Sequence, residues 1–472
     1  MTRLFSFMLY NPDFRNKKFR IMFKNISILI FSICVFISCN TEQKPLSVTP
    51  DDYNNAVDKV TEVIIHDIFS PPVASRIYAY SNIAAYEVLA QNHPEYNSLA
   101  GKLNGLGETP KTENPAVNYD VAALIAQMEM AKSLIFSEDR ITEVRDSLYK
   151  TWEDQNAEEL AASKAYGLQV ADHIKSWMDG DNYKQTRTMP KFSVNADNPS
   201  RWQPTPPAYM DGIEPHWMKI RTFVLDSASQ FKPVPPPAFS MEEGSEFHKQ
   251  LMEVYTVRNE MTAKGDESEE AAIAKFWDCN PYVSTHKGHL MFATKKITPG
   301  GHWIGIVKIA TKKNNADLME TVYAYTKTSI ALFDGFISCW DEKYRSNLIR
   351  PETLINQYID DSWTPVLQTP PFPEYSSGHS VVSGAAAEVL TEIYGDNFQF
   401  DDDTETAYGL PVRSFTSFRA ASSEAALSRL YGGIHYRAAI DEGLKQGRQL
   451  GQHIVNNLHM KNSTTALSHS GN

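Results

Sequence analysis

Ser428-Arg429-Leu430-Tyr431-Gly432-Gly433-Ile434-His435-Tyr436-Arg437 is the stretch on which the reading of this chain turns. Helical periodicity runs from Ser422 to Leu430 and again from Arg437 to Leu458. Arg429 should therefore close one helix, Gly432-Gly433 break it, and His435 stand before the next. A guanidinium and an imidazole can then converge across the turn. A lone histidine in such a place is better explained as a satisfied core residue, so the stretch gains meaning from two others upstream.

One is Pro373-Glu374-Tyr375-Ser376-Ser377-Gly378-His379-Ser380, followed by the small-residue run Gly384-Ala385-Ala386-Ala387. A Ser-Gly-His that opens a helix offers backbone N–H groups and the Ser377 hydroxyl to an oxyanion at the positive end of the helix dipole. Gly378 lets the backbone approach a ligand closely, and His379 can move a proton near neutral pH. The plain alternative is a serine helix cap beside a surface histidine. The other stretch is Trp340-Asp341-Glu342-Lys343-Tyr344-Arg345-Ser346-Asn347-Leu348-Ile349-Arg350-Pro351. Lys343 and Arg350 lie seven apart, which on one helix puts both cations on nearly the same face, with Trp340 and Asn347 completing the stripe. Pro351 sets Arg350 at the helix end. Alone, the stripe would read as a solvated face. Taken together, Lys343, Arg350 and Arg429 balance a tetrahedral oxyanion of up to three negative charges, and two histidines remain for axial bonding and acid–base work. That arrangement suits phosphate or a close analogue.

The rest of the chain is a helical scaffold. Helical patterns run from Asp51 to about Asp179, through Ala56, Val60, Val63, Ile64 and Ile68, then Ser75 to Ala90, Val121 to Ile135 and Glu138 to Trp177. Ser70-Pro71-Pro72 and the stretch from Gly101 to Pro115 supply turns. Between Pro199 and Phe239 the text turns rich in Pro and Trp, as in Phe231-Lys232-Pro233-Val234-Pro235-Pro236-Pro237, and reads as an extended crossing between two helical halves. Helices resume over Met241 to Thr262, Glu267 to Trp277, Asn315 to Arg350 and Ser380 to Tyr394, and no alternating strand run is evident. The acidic stretch Asp401-Asp402-Asp403-Thr404-Glu405 could bind a hard cation but reads more readily as a solvated loop.

The chain of 472 residues carries 45 Lys+Arg against 57 Asp+Glu, a net charge of −12, and 42% hydrophobic residues. This is globular composition, and its acidity excludes a broad nucleic-acid surface. Four cysteines are too few for a disulfide scaffold. Lys17, Lys18, Arg20 and Lys24 precede an apolar run from Ile26 to Ile37, shorter than the ~20 residues of a membrane span, and Ser38-Cys39 follows. Residues 1–38 read as a signal peptide of lipoprotein type, with Cys39 as the lipidated N-terminus and 39–50 as a tether. Residues 51–240 are then an N-terminal helical bundle with the crossing, 241–460 a C-terminal bundle, and 461–472 a tail. The protein is expected to be exported, to the periplasm or outer membrane or beyond, touching a membrane through its lipid alone.

Lys-x6-Arg-Pro, Ser-Gly-His and Ser-Arg-x5-His, in this order, resemble the signature of the type 2 phosphatidic acid phosphatase and vanadium haloperoxidase superfamily. With its helical first half, Pro/Trp crossing and exported form, the chain resembles the bacterial vanadium-dependent haloperoxidases, and among them the vanadium iodoperoxidases of marine bacteroidetes. The resemblance implies an all-α fold of two four-helix bundles forming one large unit, with the site at the end of the second bundle. It implies vanadate as cofactor, bound through His435 as the metal ligand and held by Lys343, Arg350, Ser377, the Gly378 N–H and Arg429. His379 is the implied acid–base residue, Lys343 polarises the bound oxidant, and Trp340, Phe372 and Tyr282 line the halide side. The implied substrates are hydrogen peroxide and iodide or bromide, giving a hypohalous species. The organic acceptor, the oligomeric state and any pairing of Cys279 with Cys339 stay open.

The family often has an Asp four residues after the third-motif histidine, and here that place is Ala439, with Asp441 two further on. Another acceptor, such as a backbone carbonyl, must fix the His435 tautomer, and the missing Asp counts against an acid phosphatase working through a phosphohistidine. A non-enzymatic surface lipoprotein is the third reading.

Overall fold

Helix starts in this chain are set by short polar caps. In the computed structural model, which describes residues 44–265, 268–287, 290–293 and 295–462, Thr49 and Asp52 form a reciprocal capping box that opens α1 (Pro50–His66). Ser70 caps α2 (Pro71–Leu89), so Pro71 and Pro72 do not interrupt a helix but begin one, where a missing N–H costs nothing. Then follow α3 (Tyr119–Lys132), α4 (Glu138–Asp179, with non-helical backbone at Asn156) and the single turn α5 (Tyr183–Thr186). The second half holds α6 (Glu246–Lys264), α7 (Glu269–Phe276), α8 (Pro299–Lys313), α9 (Leu318–Ser346), α10 (Pro351–Tyr358), α11 (Gly378–Tyr394), α12 (Phe418–Tyr431) and α13 (Arg437–Asn457). The expected leader, with Cys39, lies outside the described residues.

The described residues from Leu46 onward form one unit. Helices α1 to α4 make the first bundle, and α9, α11, α12 and α13 the second, so the all-α, two-bundle expectation holds. Helix α2 is mostly apolar or small and is buried along its whole length, its few large polar side chains, Arg76, Asn82 and Glu87, being paired inside with Asp181, Tyr53 and Thr109. It packs on α9, whose side chains from Thr321 to Trp340 are buried, and this contact joins the two bundles. No helix among the described residues is long and apolar enough to cross a membrane.

Three expectations need correction. Strands do occur: β1 (Ser284–Lys287) pairs antiparallel with β2 (Leu290–Ala293), and β3 (Phe400–Asp402) with β4 (Arg413–Phe415). At three or four residues each they are too short for a period of two to register. Helix α9 stops at Ser346, because Asn347 adopts a left-handed conformation (φ 48°) and caps it, so Arg350 does not share a helix face with Lys343. The acidic stretch is not a solvated loop throughout, since Asp402 and Glu405 are buried while Asp401 and Asp403 face solvent.

The Pro/Trp crossing is largely irregular apart from a short 3-10 turn at Trp217–Lys219, and a buried acid of α9 anchors it. The Asp334 carboxylate accepts from the N–H groups of Phe223 (2.7 Å), Val224 (2.8 Å) and Leu225 (3.2 Å), supplying acceptors that a segment outside helices and sheets would lack. Burial pushes its pKa up to about 6.

Helices α11 and α13 touch backbone to backbone. A Cβ at Gly447 would stand 2.0 Å from the Val381 carbonyl oxygen. Gly447→Ala should therefore lower the thermal unfolding midpoint, at a cost of about 1–3 kcal/mol or more. An unchanged midpoint in calorimetry would show that the helices can part without loss.

Candidate oxyanion site

The three sequence stretches meet at the start of α11. Ser377 caps that helix: its Oγ accepts from the Ser380 N–H (3.3 Å), and its own N–H donates to the Ala439 carbonyl (3.0 Å) at the start of α13. The preceding loop is braced by a polar chain in which Ser376 Oγ donates to Gln446 Oε1 (2.8 Å) and Gln446 Nε2 donates to Ser338 Oγ (3.0 Å). Gly378 faces Trp340, whose Cζ3 would lie 3.7 Å from an added Cβ. With the Ser380 N–H taken by the cap, the N–H groups of Gly378 and His379 have no intrahelical acceptors and are the ones open to an anion.

Arg350 reaches the site from the turn between α9 and α10, at the N-cap position of α10. It is fully buried and donates through Nε to the Phe372 carbonyl (3.0 Å) and through Nη1 to the Ile434 carbonyl (2.8 Å) and His435 Nε2 (3.2 Å), while Nη2 has no partner. Arg429, in the last turn of α12, donates through Nη1 to the Trp277 carbonyl (2.6 Å) and lies 3.5 Å from His379 Nε2, and its buried Nε has no partner. Two buried guanidinium donors thus lack an acceptor at one place, which an oxyanion would supply.

Lys343 is buried on α9, and its ammonium donates to the carbonyls of Pro373 (3.0 Å), Glu374 (3.1 Å) and Ser376 (2.6 Å). Burial pushes its pKa down to about 7. In this arrangement it braces the 373–376 loop, and it would have to release a carbonyl to reach an anion.

His435 is buried between Arg350 and a residue to which the sequence reading assigned no role. Its Nδ1 lies 2.7 Å from Glu374 Oε1, which also accepts from the Tyr436 N–H (2.9 Å). Since arginine can only donate, Nε2 carries the lone pair and Nδ1 the proton, which goes to Glu374. The acceptor is therefore a carboxylate rather than a backbone carbonyl, and it comes from the second stretch rather than from α13. The missing Asp loses its force against the phosphatase reading, because the histidine has a carboxylate partner after all. Glu374 sat beside the Ser-Gly-His motif, but nothing in its spacing pointed to His435, 61 residues on. Burial, then the charge of Arg350, hold His435 well below the usual imidazole range. Burial and then Arg429 do the same for His379. Burial raises Glu374 to about 7.

A cleft opens on these groups, and Gly378, His379, Arg429 and His435 line it together with the aromatic rings of Trp340, Phe372 and Tyr282. Trp340 and Phe372 pack with ring centroids 5.0 Å apart, and Trp340 is fixed by donating Nε1–H to the Ile213 carbonyl (3.2 Å). Every site residue expected from the sequence, Cys39 aside, thus lies in this region. Cys279 and Cys339 are both buried and unpaired, and Cys279 lines the cleft.

Fold and site together define a helical-bundle protein that gathers buried arginines and histidines, with guanidinium donors left unpartnered, at a helix start. Residues 324–463 match the family model for the second helical-bundle domain of VCPO. The crystal structure of a bacterial vanadium-dependent iodoperoxidase is similar at 65% identity and a TM-score of 0.86, covering 89% of this chain and 100% of that one. Two crystal structures of bacterial vanadium-dependent chloroperoxidase share the fold. The apo type has 17% identity and a TM-score of 0.64, over 83% of this chain and 95% of that one, and the holo type 18% and 0.65, over 84% and 94%. No curated protein matches the chain. The chain belongs to the bacterial vanadium-dependent haloperoxidases. It is therefore an oxidoreductase of the vanadium-dependent, peroxide- and halide-using kind, which sets aside the phosphatase and binding-lipoprotein readings.

Glu374→Ala should lower affinity for vanadate roughly 10- to 100-fold by freeing the imidazole, with Glu374→Gln less affected because its amide oxygen can still accept from Nδ1. Equilibrium titration with vanadate checks this, and wild-type affinity in the alanine variant would remove Glu374 from the account.

Proposed function

We propose that this protein uses vanadate to oxidise iodide, and bromide less readily, with hydrogen peroxide to a hypohalous species. The observation that carries the proposal is the pair of unpartnered, buried guanidinium nitrogens, Arg350 Nη2 and Arg429 Nε, on arginines that contact His435 and His379 at a cleft partly lined by aromatic rings. These donors suit a tetrahedral oxometalate: a neutral imidazole as the metal ligand, and guanidinium, hydroxyl and backbone N–H groups for its oxygens. His435 would be that ligand, and Arg350, Arg429, Ser377, the Gly378 N–H and Lys343 would hold the oxygens. Vanadate, when bound, supplies a Lewis-acidic centre that makes peroxide oxygen electrophilic.

The protein's own residues do the rest. Converting H₂O₂, I⁻ and H⁺ to HOI and water consumes one proton, and His379, kept neutral by burial and by Arg429, can take a proton from peroxide and return it to the departing oxygen. Glu374 keeps His435 in the tautomer whose Nε2 carries the lone pair, which accepts from Arg350 Nη1 here and would turn to the metal. Trp340, Phe372 and Tyr282 offer a large, weakly hydrated anion an apolar and polarisable surface, which suits iodide over smaller halides. The iodoperoxidase named above supports the choice of iodide through its similarity. The Ile26–Ile37 run and Cys39 support export of the enzyme as a lipoprotein.

Adding vanadate to the metal-free protein should switch on iodide oxidation by peroxide, and His435→Ala should abolish it. Hydrolysis of an aryl phosphate that vanadate inhibits, without vanadate-dependent halide oxidation, would overturn the proposal.

Vanadate affinity should fall as pH rises through about 7. Below that pH Lys343 is an ammonium ion holding its carbonyls, and above it the cradle loses a positive charge while Glu374 gains a negative one. Lys343 and Glu374 together set a limit of about tenfold per pH unit for each proton taken up on binding. Lys343→Met should weaken binding and flatten the profile, and an affinity that rises with pH would contradict this account.

A further inference from the structure

Outside the oxyanion site, four residues from three segments form a second buried cluster. They are Cys279 just after α7, His302 on α8, and Asp402 and Glu405 at the end of β3 and in the loop that follows it. The hydrogen bonds decide the state of His302. The Thr404 hydroxyl gives its one proton to Asp402 Oδ1 (2.6 Å), so the Thr404 Oγ and Asp402 Oδ2, each 2.8 Å from His302 Nε2, can only accept. Nε2 therefore bears a proton.

His302 Nδ1 then faces two further electron-pair donors: Glu405 Oε1 at 3.1 Å and Cys279 Sγ at 3.4 Å, themselves 3.8 Å apart. Without a metal, a second proton on Nδ1 can hold this contact, as an imidazolium between Asp402 and Glu405, and a divalent cation set among the three donor atoms would take that proton's place. A tetrahedral zinc ion bound by sulfur, nitrogen and oxygen separates its ligand atoms by about 3.3–3.6 Å, close to these distances. Asp402 on the far nitrogen is the outer carboxylate that orients a metal-bound histidine. The indole of Trp277 stacks on the His302 ring at 4.4 Å and shields it on one face.

We propose that Cys279, His302 and Glu405 bind a zinc-class divalent ion, with Asp402 as the orienting carboxylate. One thiolate, one imidazole and one carboxylate form a donor set suited to zinc or cobalt rather than to calcium or magnesium, which prefer oxygen alone. The site borders the oxyanion cleft: Cys279 lines that cleft, and Trp277, two residues before it, accepts from Arg429 through its carbonyl. A bound ion would brace this wall and tie up a thiol exposed to the enzyme's own oxidant. The proposal does not depend on which halide is oxidised.

The test uses the full, vanadate-free chain and reads metal directly. Elemental analysis after zinc loading and gel filtration should give one zinc per chain, and cobalt loading should give the intense near-ultraviolet band of a thiolate–cobalt bond with tetrahedral visible absorption. Cys279→Ser and His302→Gln should lose that band, and Cys339→Ser should keep it. Substoichiometric metal in the wild-type protein, a cobalt spectrum without the thiolate band, or a band that survives Cys279→Ser would each overturn the proposal. The wild-type measurement stands alone if a variant fails to fold.

Discussion

The structure is organised around a charge problem. Lys343, Arg350 and Arg429 are at most 2% exposed, and among the described residues none of them forms an ion pair. An uncompensated buried cation costs several kcal/mol even after relaxation. Backbone carbonyls meet part of that cost: Pro373, Glu374 and Ser376 for the lysine, Phe372 and Ile434 for one arginine, Trp277 for the other. The carbonyls are dipoles, however, and the net positive charge remains. A site of this kind binds a multiply charged anion because the protein has left that charge unneutralised.

Holding the cations there requires a scaffold that does not yield. The loops that carry the carbonyls are each pinned from elsewhere: 373–376 by Lys343 and by the Ser376–Gln446–Ser338 chain, and the Pro/Trp crossing by Asp334. The small residues of α11 and the glycines of α13 bring two backbones into contact, which fixes the distance between Ser377 and His435. Helix α2, buried on all sides against α9, gives the second bundle a rigid wall to build on. The first bundle thus acts on the site through packing, although only Pro71 of its helices lines the cleft.

Two kinds of surface meet in that cleft. Guanidinium donors and imidazoles supply one, and the polarisable apolar faces of Trp340, Phe372 and Tyr282 the other. Glu374 shows how a different part of the chain can supply the carboxylate that an orienting Asp often provides. Its hydrogen bond to Nδ1 depends on the 2.7 Å contact and not on which helix delivers it. The cluster around His302 lies behind the same wall and shares Trp277 and Cys279 with it.

The amino-acid sequence by itself determined the helical class, the three site stretches and about half of the residues that line the cleft. Periodicity, helix-opening serines and the turn at Gly432-Gly433 are local signals that survive without tertiary context. What it left undecided depended on contacts across long separations. That Arg350 reaches the site across a turn followed from the left-handed Asn347, a conformation its neighbours do not announce. That Glu374 fixes His435, and that Asp402 and Glu405 turn inward to His302 while Asp401 and Asp403 stay in water, followed from how separate segments pack. A carboxylate takes its partner from whatever donor the fold brings within about 3 Å, and only the folded chain specifies that neighbour.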